Sequence, residues 1–212
     1  MRRLASITAA ILAAVVLAGC QPTAPPATPT PSSTNAPPSA SPVPTPTYLC
    51  TPEAGGDEAP CSQLEYDEMK AKDSLYAEAE AVYRKAFAEN IRISRSGGVT
   101  EPTAVIEETT EGAFRDDVMA IFSEMVEENL RARGADPSLV IERAPGLSKQ
   151  GSVVALSVCV DATEWWFYND NNRVSQGKIG LDLVYFDRFG DTLKIIGADG
   201  RFVDSCDSTS AP

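Results

Sequence analysis

The chain has 212 residues, with 30 acidic and 18 basic side chains, no histidine and a formal net charge of −12. That balance excludes the broadly basic surface through which proteins bind nucleic acid or anionic headgroups. Without imidazole, any acid–base chemistry falls to carboxylates, Tyr, Lys or Cys.

Met1-Arg2-Arg3 is followed by an uncharged run from Leu4 to Leu17 rich in Ala, Leu, Ile and Val. This is the charged start and apolar middle of an export signal, too short for a comfortable membrane span. The run closes on Leu17-Ala18-Gly19-Cys20, which resembles the lipobox of bacterial lipoproteins. The resemblance implies a diacylglyceryl thioether on Cys20, removal of residues 1–19, and a lipid-anchored position on the extracytoplasmic side of the cell membrane. Arg2-Arg3 lacks the rest of a twin-arginine motif, which points to general secretion. Cleavage removes two positive charges and takes the net charge from −12 to −14. Membrane residence is then expected from acyl chains, at about 0.8 kcal/mol per buried methylene, and not from a basic patch.

Residues 20–48 read as the lipidated Cys and a linker. Gln21 to Thr47 holds ten of the sixteen prolines and no charged or aromatic residue. Proline fixes the backbone and removes a donor, and nothing here can bury apolar area, so an extended, solvated spacer is expected. At about 3.1 Å per residue it reaches up to roughly 80 Å. Its Ser and Thr residues also permit glycosylation. From 49 to 207 the composition is globular and long enough for one domain with a sizeable core, and residues 208–212 read as a disordered tail.

Four cysteines remain after Cys20, namely Cys50, Cys61, Cys159 and Cys206. An even number in an oxidising compartment indicates disulfides, with three possible pairings. The favoured one joins Cys50 to Cys61 across a short loop and Cys159 to Cys206 across a longer one. No metal or cofactor is expected, because zinc would need His or a Cys-x-x-Cys pair and neither is present.

Ser62-Gln63-Leu64-Glu65 has the form of a capping box. Tyr76, Ala79, Val82, Tyr83, Ala86, Phe87 and Ile91 then recur at helical spacing, predicting a long helix stopped near Gly97-Gly98. Between Gly97 and Thr110 no regular element is expected, since Pro102 breaks a long helix and Val105-Ile106 offers little to pack. A second helix is predicted from about Thr110 through Phe114, Val118, Ile121, Phe122, Met125 and Leu130 to Gly134. Asp116, Asp117, Glu124, Glu127 and Glu128 form its solvated face.

Beyond Pro137 the period becomes that of strands. Leu139-Val140-Ile141 is a short strand, and the next one places Val154, Leu156, Val158 and Val160 on one face. Trp165 to Tyr168, followed by Asn169-Asp170-Asn171-Asn172, read as a strand ending in a polar hairpin loop, one without the acid pattern of a calcium loop. Ile179, Leu181, Leu183 and Tyr185 share a face of a further strand, which turns at Arg188-Phe189-Gly190-Asp191. Two last strands, Thr192 to Ile196 and Arg201 to Val203, are expected around a turn or bulge at Ala198-Asp199-Gly200. Helices first and antiparallel strands afterwards indicate an α+β domain with the N-terminal helices packed on a curved antiparallel sheet.

This order of elements, ending in LVYFDRFGDTLKIIGADGRFVDSC, resembles the NTF2-like and cystatin-like domains of actinobacterial lipoproteins. The resemblance spans roughly Cys61 to Cys206. It departs from the common form in having Leu193 where a Trp is usual. It implies a sheet curled around a helix, often enclosing a conical cavity. Some enzymes of that superfamily use Asp with Tyr or Arg, which makes Asp161, Asp182, Tyr185 and Arg188 the catalytic candidates. No nucleophile elbow, phosphate loop or dinucleotide fingerprint is present.

Alternation sends Trp165 and Phe167 to one side and Trp166 and Tyr168 to the other, so at most two of the four rings face any one pocket. The expected function is that of a noncatalytic, lipid-anchored domain binding a small apolar ligand or a cell-envelope protein. An interaction module with a filled core, and a carboxylate-based enzyme, are the alternatives. Apart from the membrane anchor, no partner follows from the sequence, and nucleic acid is not expected.

Overall fold

The computed structural model describes residues 47–149 and 151–207. The signal segment, Cys20, the linker up to residue 46 and the tail 208–212 lie outside the described residues. Two short strands, β1 (Tyr48–Cys50) and β2 (Ala59–Cys61), pair antiparallel and are joined by the Cys50–Cys61 disulfide.

Helix α1 (Gln63–Ser96) starts where the capping box places it. The Ser62 hydroxyl accepts from Glu65 N, and the Glu65 carboxylate accepts from Ser62 N at 2.8 Å. The helix ends on Gly97, whose φ of 100° is the left-handed conformation that frees its N–H to bond Ile93 O. Pro102 does break the helix, yet the segment behind it folds. Thr103 caps a short helix α2 (Ala104–Thr109), and Ile106 is buried, contrary to the expectation that it has nothing to pack on.

The second predicted helix is shorter than its periodicity suggests. Helix α3 runs from Gly112 to Glu127, and Leu130–Gly134 is a strand, β3. Asn129 adopts a φ of 49° and turns the chain out of the helix, a conformation Asn tolerates better than most residues. Leu130 therefore leaves the helix face assigned to it, and Ile121 on that face stays 59% exposed.

The remaining strands are β4 (Ser138–Arg143), β5 (Val154–Asp161), β6 (Trp165–Asn169), β7 (Asn172–Gln176), β8 (Ile179–Phe189) and β9 (Thr192–Phe202). All named strands pair antiparallel, in the orders β3-β6-β7 and β4-β5-β8-β9. The protein is thus α+β. The chain crosses between the two groups three times, from β3 into β4, from β5 into β6 and from β7 into β8, and the backbone bonds Ala162 N to Lys178 O and Gly177 N to Trp165 O join them at a bend. At the bend the chains come very close. A Cβ on Gly177 would lie 2.2 Å from Ala162 O, and one on Gly134 would lie 1.9 Å from Glu164 O. Arg95, at the end of α1, fastens the bend through Gly134 O and Asp136 and covers the Trp165 ring at 4.8 Å.

The expected last strand pair is one continuous strand. β9 keeps pairing with β8 through Ala198-Asp199-Gly200, and the irregularity is a bulge, with Tyr185 opposite Gly197 and Phe186 opposite Ile195. Small residues carry the strand across this region, since a Cβ on Gly200 would meet the Asp182 carboxylate.

Tyr76 and Ala79 of α1 pack on Leu156, Val158, Val184, Phe186, Leu193 and Ile195 of the four-stranded half. Ile93, Ile106, Phe122 and Met125 form a second core, against which Leu130 and Phe167 pack. On β8 it is Val184 and Phe186 that meet the helix, whereas Tyr185 and Leu183 belong to a smaller cluster with Ala144 and Ala155. The Cys159–Cys206 disulfide ties β5 to the segment behind β9 across a sequence separation of 47.

Candidate functional site

The aromatic run is β6, central in its half of the sheet, and its rings divide as alternation requires. Trp165 is buried and Phe167 packs on the core beneath α3. Trp166 and Tyr168 point to the opposite face and are only partly covered. Two neighbouring strands bring cations to them. In β3, Arg133 pairs with Trp166 and Arg131 with Tyr168 across the ladder. In β7, Arg173 pairs with Tyr168 and Gln176 with Trp166.

Arg173 and Gln176 are three residues apart and in a regular strand would face opposite sides. The shift in register between Phe167 and Tyr168 absorbs one extra residue and puts both beside the rings. The Arg173 guanidinium lies over Trp166 at 3.9 Å, and its Nε donates to the Tyr168 hydroxyl at 3.0 Å. Arg133 lies over the Tyr168 ring at 4.6 Å and donates to Asp170 O at 3.0 Å. A guanidinium over a ring is weakly hydrated and held in plane, with its edge N–H groups still available.

The tip of this half is pinned by two non-glycine residues in left-handed conformation, Asn129 and Asp170, whose side chains hydrogen-bond at 2.7 Å. Asn169 Nδ2 adds a bond to Glu128 O at 2.7 Å.

These arginines stand out electrostatically. Among the described residues, Arg84, Arg92, Arg95, Arg115, Arg143 and Arg188 each pair with a carboxylate. Arg131, Arg133, Arg173 and Arg201 make no ion pair there, although the chain carries 30 acids, and three of these four lie on β3 and β7 beside the aromatic strand. Two of these guanidiniums, Arg133 and Arg173, are laid on the aromatic rings of one sheet face and form an anion-receptive surface, while the Arg131 side chain lies against Gly97 at the end of α1.

The catalytic candidates do not assemble. Asp161 caps the start of the bend, accepting from the Thr163 hydroxyl and N–H, which hold its carboxyl below the usual range. Tyr185 lies on the sheet face away from α1 beside Lys149 and Asp199, its phenol pushed up mainly by burial. Arg188 sits at the β8–β9 turn, paired with Glu78 at 2.5 Å. Asp182 alone lies within electrostatic reach of a tyrosine, and it is Tyr83 of α1 rather than Tyr185. Burial raises the Asp182 carboxyl, while burial and the Asp182 charge raise the Tyr83 phenol.

Two cavities open elsewhere. A groove of about 1360 Å³ runs between the first hairpin, the start of α1 and Arg143, with Glu53, Glu58, Glu65 and Glu68 along it. A pocket of about 260 Å³ lies under Tyr76, Leu147 and Val153. The first is open and charged, and the second falls below the roughly 300 Å³ of typical small-molecule sites. Among the described residues, no group of three or more Cys, Asp or Glu side chains is placed to hold a metal ion, and no helix is long and apolar enough to cross a membrane.

Sequence reasoning singled out the four aromatics and missed Arg131, Arg133 and Arg173. The alternation in Leu130-Arg131-Ala132-Arg133-Gly134 is the available signal for β3, hidden by its position at the end of a helical pattern. Nothing local marks the bulge that turns Arg173 to the rings. Compared with protein-family models, curated proteins and solved structures, the chain matches none.

Proposed function

We propose that this protein is a noncatalytic, extracytoplasmic interaction module, anchored to the cell membrane through a lipid on Cys20, which engages an envelope protein through the outer face of β3, β6 and β7. The observation that carries this reading is the cluster of unpaired arginines on Trp166 and Tyr168. The dispersed catalytic candidates argue against the enzyme alternative. Packing between α1 and the four-stranded half argues against a capacious apolar ligand site, since Tyr76, Leu156, Phe186, Leu193 and Ile195 occupy that interior. The long helix laid across a bent antiparallel sheet supports the finer comparison with NTF2-like and cystatin-like domains.

Two experiments test the two halves of the proposal. Metabolic labelling with a palmitate analogue should be lost in Cys20→Ala, and undiminished labelling would remove the anchor. A photoreactive residue in place of Val174, which is 52% exposed on β7, should give a covalent envelope adduct that disappears in Arg133→Gln/Arg173→Gln. An adduct indifferent to those arginines, or none, would reject this face as the working surface.

A further inference from the structure

We infer that the partner of the arginine face is a second copy of this chain, which presents the outward side of α3 in a head-to-tail contact. The inference rests on the reading of this face as the docking surface and names what docks there.

Helix α3 turns Phe122 and Met125 inward, into the core on which Phe167 of β6 also packs. Its outward side carries Asp116, Asp117, Glu124, Glu127 and Glu128, all exposed. Among the described residues none of these five acids makes an ion pair. The arginine face lies on the far side of the same layer, because alternation along β6 turns Trp166 and Tyr168 away from Phe167. Helix α3 and the strands β3, β6 and β7 thus form a two-layer unit with unpaired acids on one surface and unpaired Arg133 and Arg173 on the other. A helix and a sheet stand between the two patches, so neither can neutralise the other within one molecule. Two copies stacked in the same orientation bring the acids of one onto the arginines of the next.

The spacings of the two patches match. The guanidinium carbons of Arg133 and Arg173 lie 4.6 and 5.9 Å from the Tyr168 ring centre, and hence within about 10.5 Å of each other. Asp117 and Glu124 lie two turns apart on α3, about 10.5 Å along one side of the helix. Between them Ile121 is 59% exposed, placed to meet the partly covered Trp166 and Tyr168 rings. Each guanidinium can take a carboxylate as a fork, with two parallel N–H donors. Such a contact joins unlike surfaces and continues from copy to copy, where a two-fold dimer would join like ones. The negative net charge repels copies at a distance, but physiological salt screens that repulsion beyond about 8 Å, whereas the patches meet in contact. Copies with the same anchor also share one membrane, which raises their effective concentration.

The test uses the full-length protein in cells, as two differently tagged copies, one of which carries the photoreactive residue at position 174. The adduct should contain the second tag, and its cross-linked peptide should come from α3 (Gly112–Glu127). It should be lost when the second copy carries Asp117→Lys/Glu124→Lys, which alters only exposed side chains. It should persist when the second copy carries Arg133→Glu/Arg173→Glu, because that copy supplies only its helix. Reversing the arginines of the photoreactive copy together with the acids of the second should restore the adduct, which a misfolded variant cannot do. A self-adduct indifferent to Asp117 and Glu124, or one cross-linked outside α3, overturns the inference. So does an arginine-dependent adduct with a different protein, although in that case the docking face itself stands. The absence of any adduct removes both.

Discussion

Gly177→Ala should unfasten the bend that carries the arginine–aromatic face. The added Cβ would lie 2.2 Å from Ala162 O and 2.7 Å from Ala162 Cβ, where an ordinary carbon–oxygen contact begins near 3.3 Å. The two strands must therefore separate by about 1 Å, taking with them the Gly177 N–H bond to Trp165 O at 2.7 Å and the Ala162 N–H bond to Lys178 O at 3.2 Å. Two weakened backbone bonds cost about 1–2 kcal/mol, and the overpacking costs about 1–3 kcal/mol more. For a domain of this size the total lowers Tm by roughly 5–15 °C. Thermal unfolding followed by circular dichroism gives that shift, and tryptophan fluorescence reports on β6 in the same sample. Gly180→Ala is the control, because its Cβ meets nothing within 4 Å and the residue lies in regular pairing with Val160. The control should stay within about 0.5 kcal/mol of the parent protein. A Gly177→Ala protein as stable as that control would refute the claim that close approach at the bend, rather than strand pairing alone, shapes this half of the sheet.

Breaking the Cys159–Cys206 bridge by paired serines should cost more than breaking Cys50–Cys61. The chain-entropy model gives about 4 kcal/mol for the 47-residue separation and about 3 kcal/mol for the 11-residue one, and urea titrations of the two variants should rank them in that order. Asp182→Asn should raise Tm at pH 7. Burial holds the folded carboxyl above its unfolded value, so its ionisation penalises the fold at any pH above both values. The penalty fades as pH falls through the folded value towards the unfolded one, and the variant and parent should converge near pH 3. A variant less stable than the parent at pH 7 would contradict the sign of that effect.

The parts of the fold written in local chemistry were legible in the sequence. The Ser62 capping box, the left-handed stop at Gly97, the hairpin at Gly190-Asp191 and the alternation of β5 all depend on residues within a turn or a strand of one another. The errors came where distant partners decide. Helical spacing through Leu130 yields to pairing of β3 with β6, and the tolerant Asn129 allows the switch. Ala198-Asp199-Gly200 has turn composition, yet β8 lies alongside it and keeps the strand whole. The candidate site shows the same division. Alternation alone assigned Trp166 and Tyr168 to one face, but the arginines reach them from two other strands, one misread as helix and one displaced by a bulge. The nearness of Asp182 to Tyr83 was hidden for a similar reason, since it couples β8 to α1 across about a hundred residues.

The arrangement of the face also bears on how strongly it must bind. An arginine side chain loses about 2 kcal/mol of rotamer entropy on being fixed, and stacking on Trp166 and Tyr168 removes part of that loss before any partner arrives. Exposed ion pairs nonetheless contribute only about 0–1 kcal/mol each, so a pair of them at a surface supports weak, salt-sensitive association rather than a tight complex. The proposed lipid anchor compensates for this, because holding two partners to one membrane raises their effective concentration towards the millimolar range without a new contact. The two features are then parts of one mechanism, and they separate experimentally. Cys20→Ala should leave the Tm of the purified protein unchanged while abolishing the adduct at position 174 in cells. Arg133→Gln/Arg173→Gln should abolish the adduct while leaving the palmitate labelling intact. Were the Cys20→Ala protein to form the adduct as efficiently as the parent, the face would be strong enough to act alone, and the weak-contact account of the tether would fail.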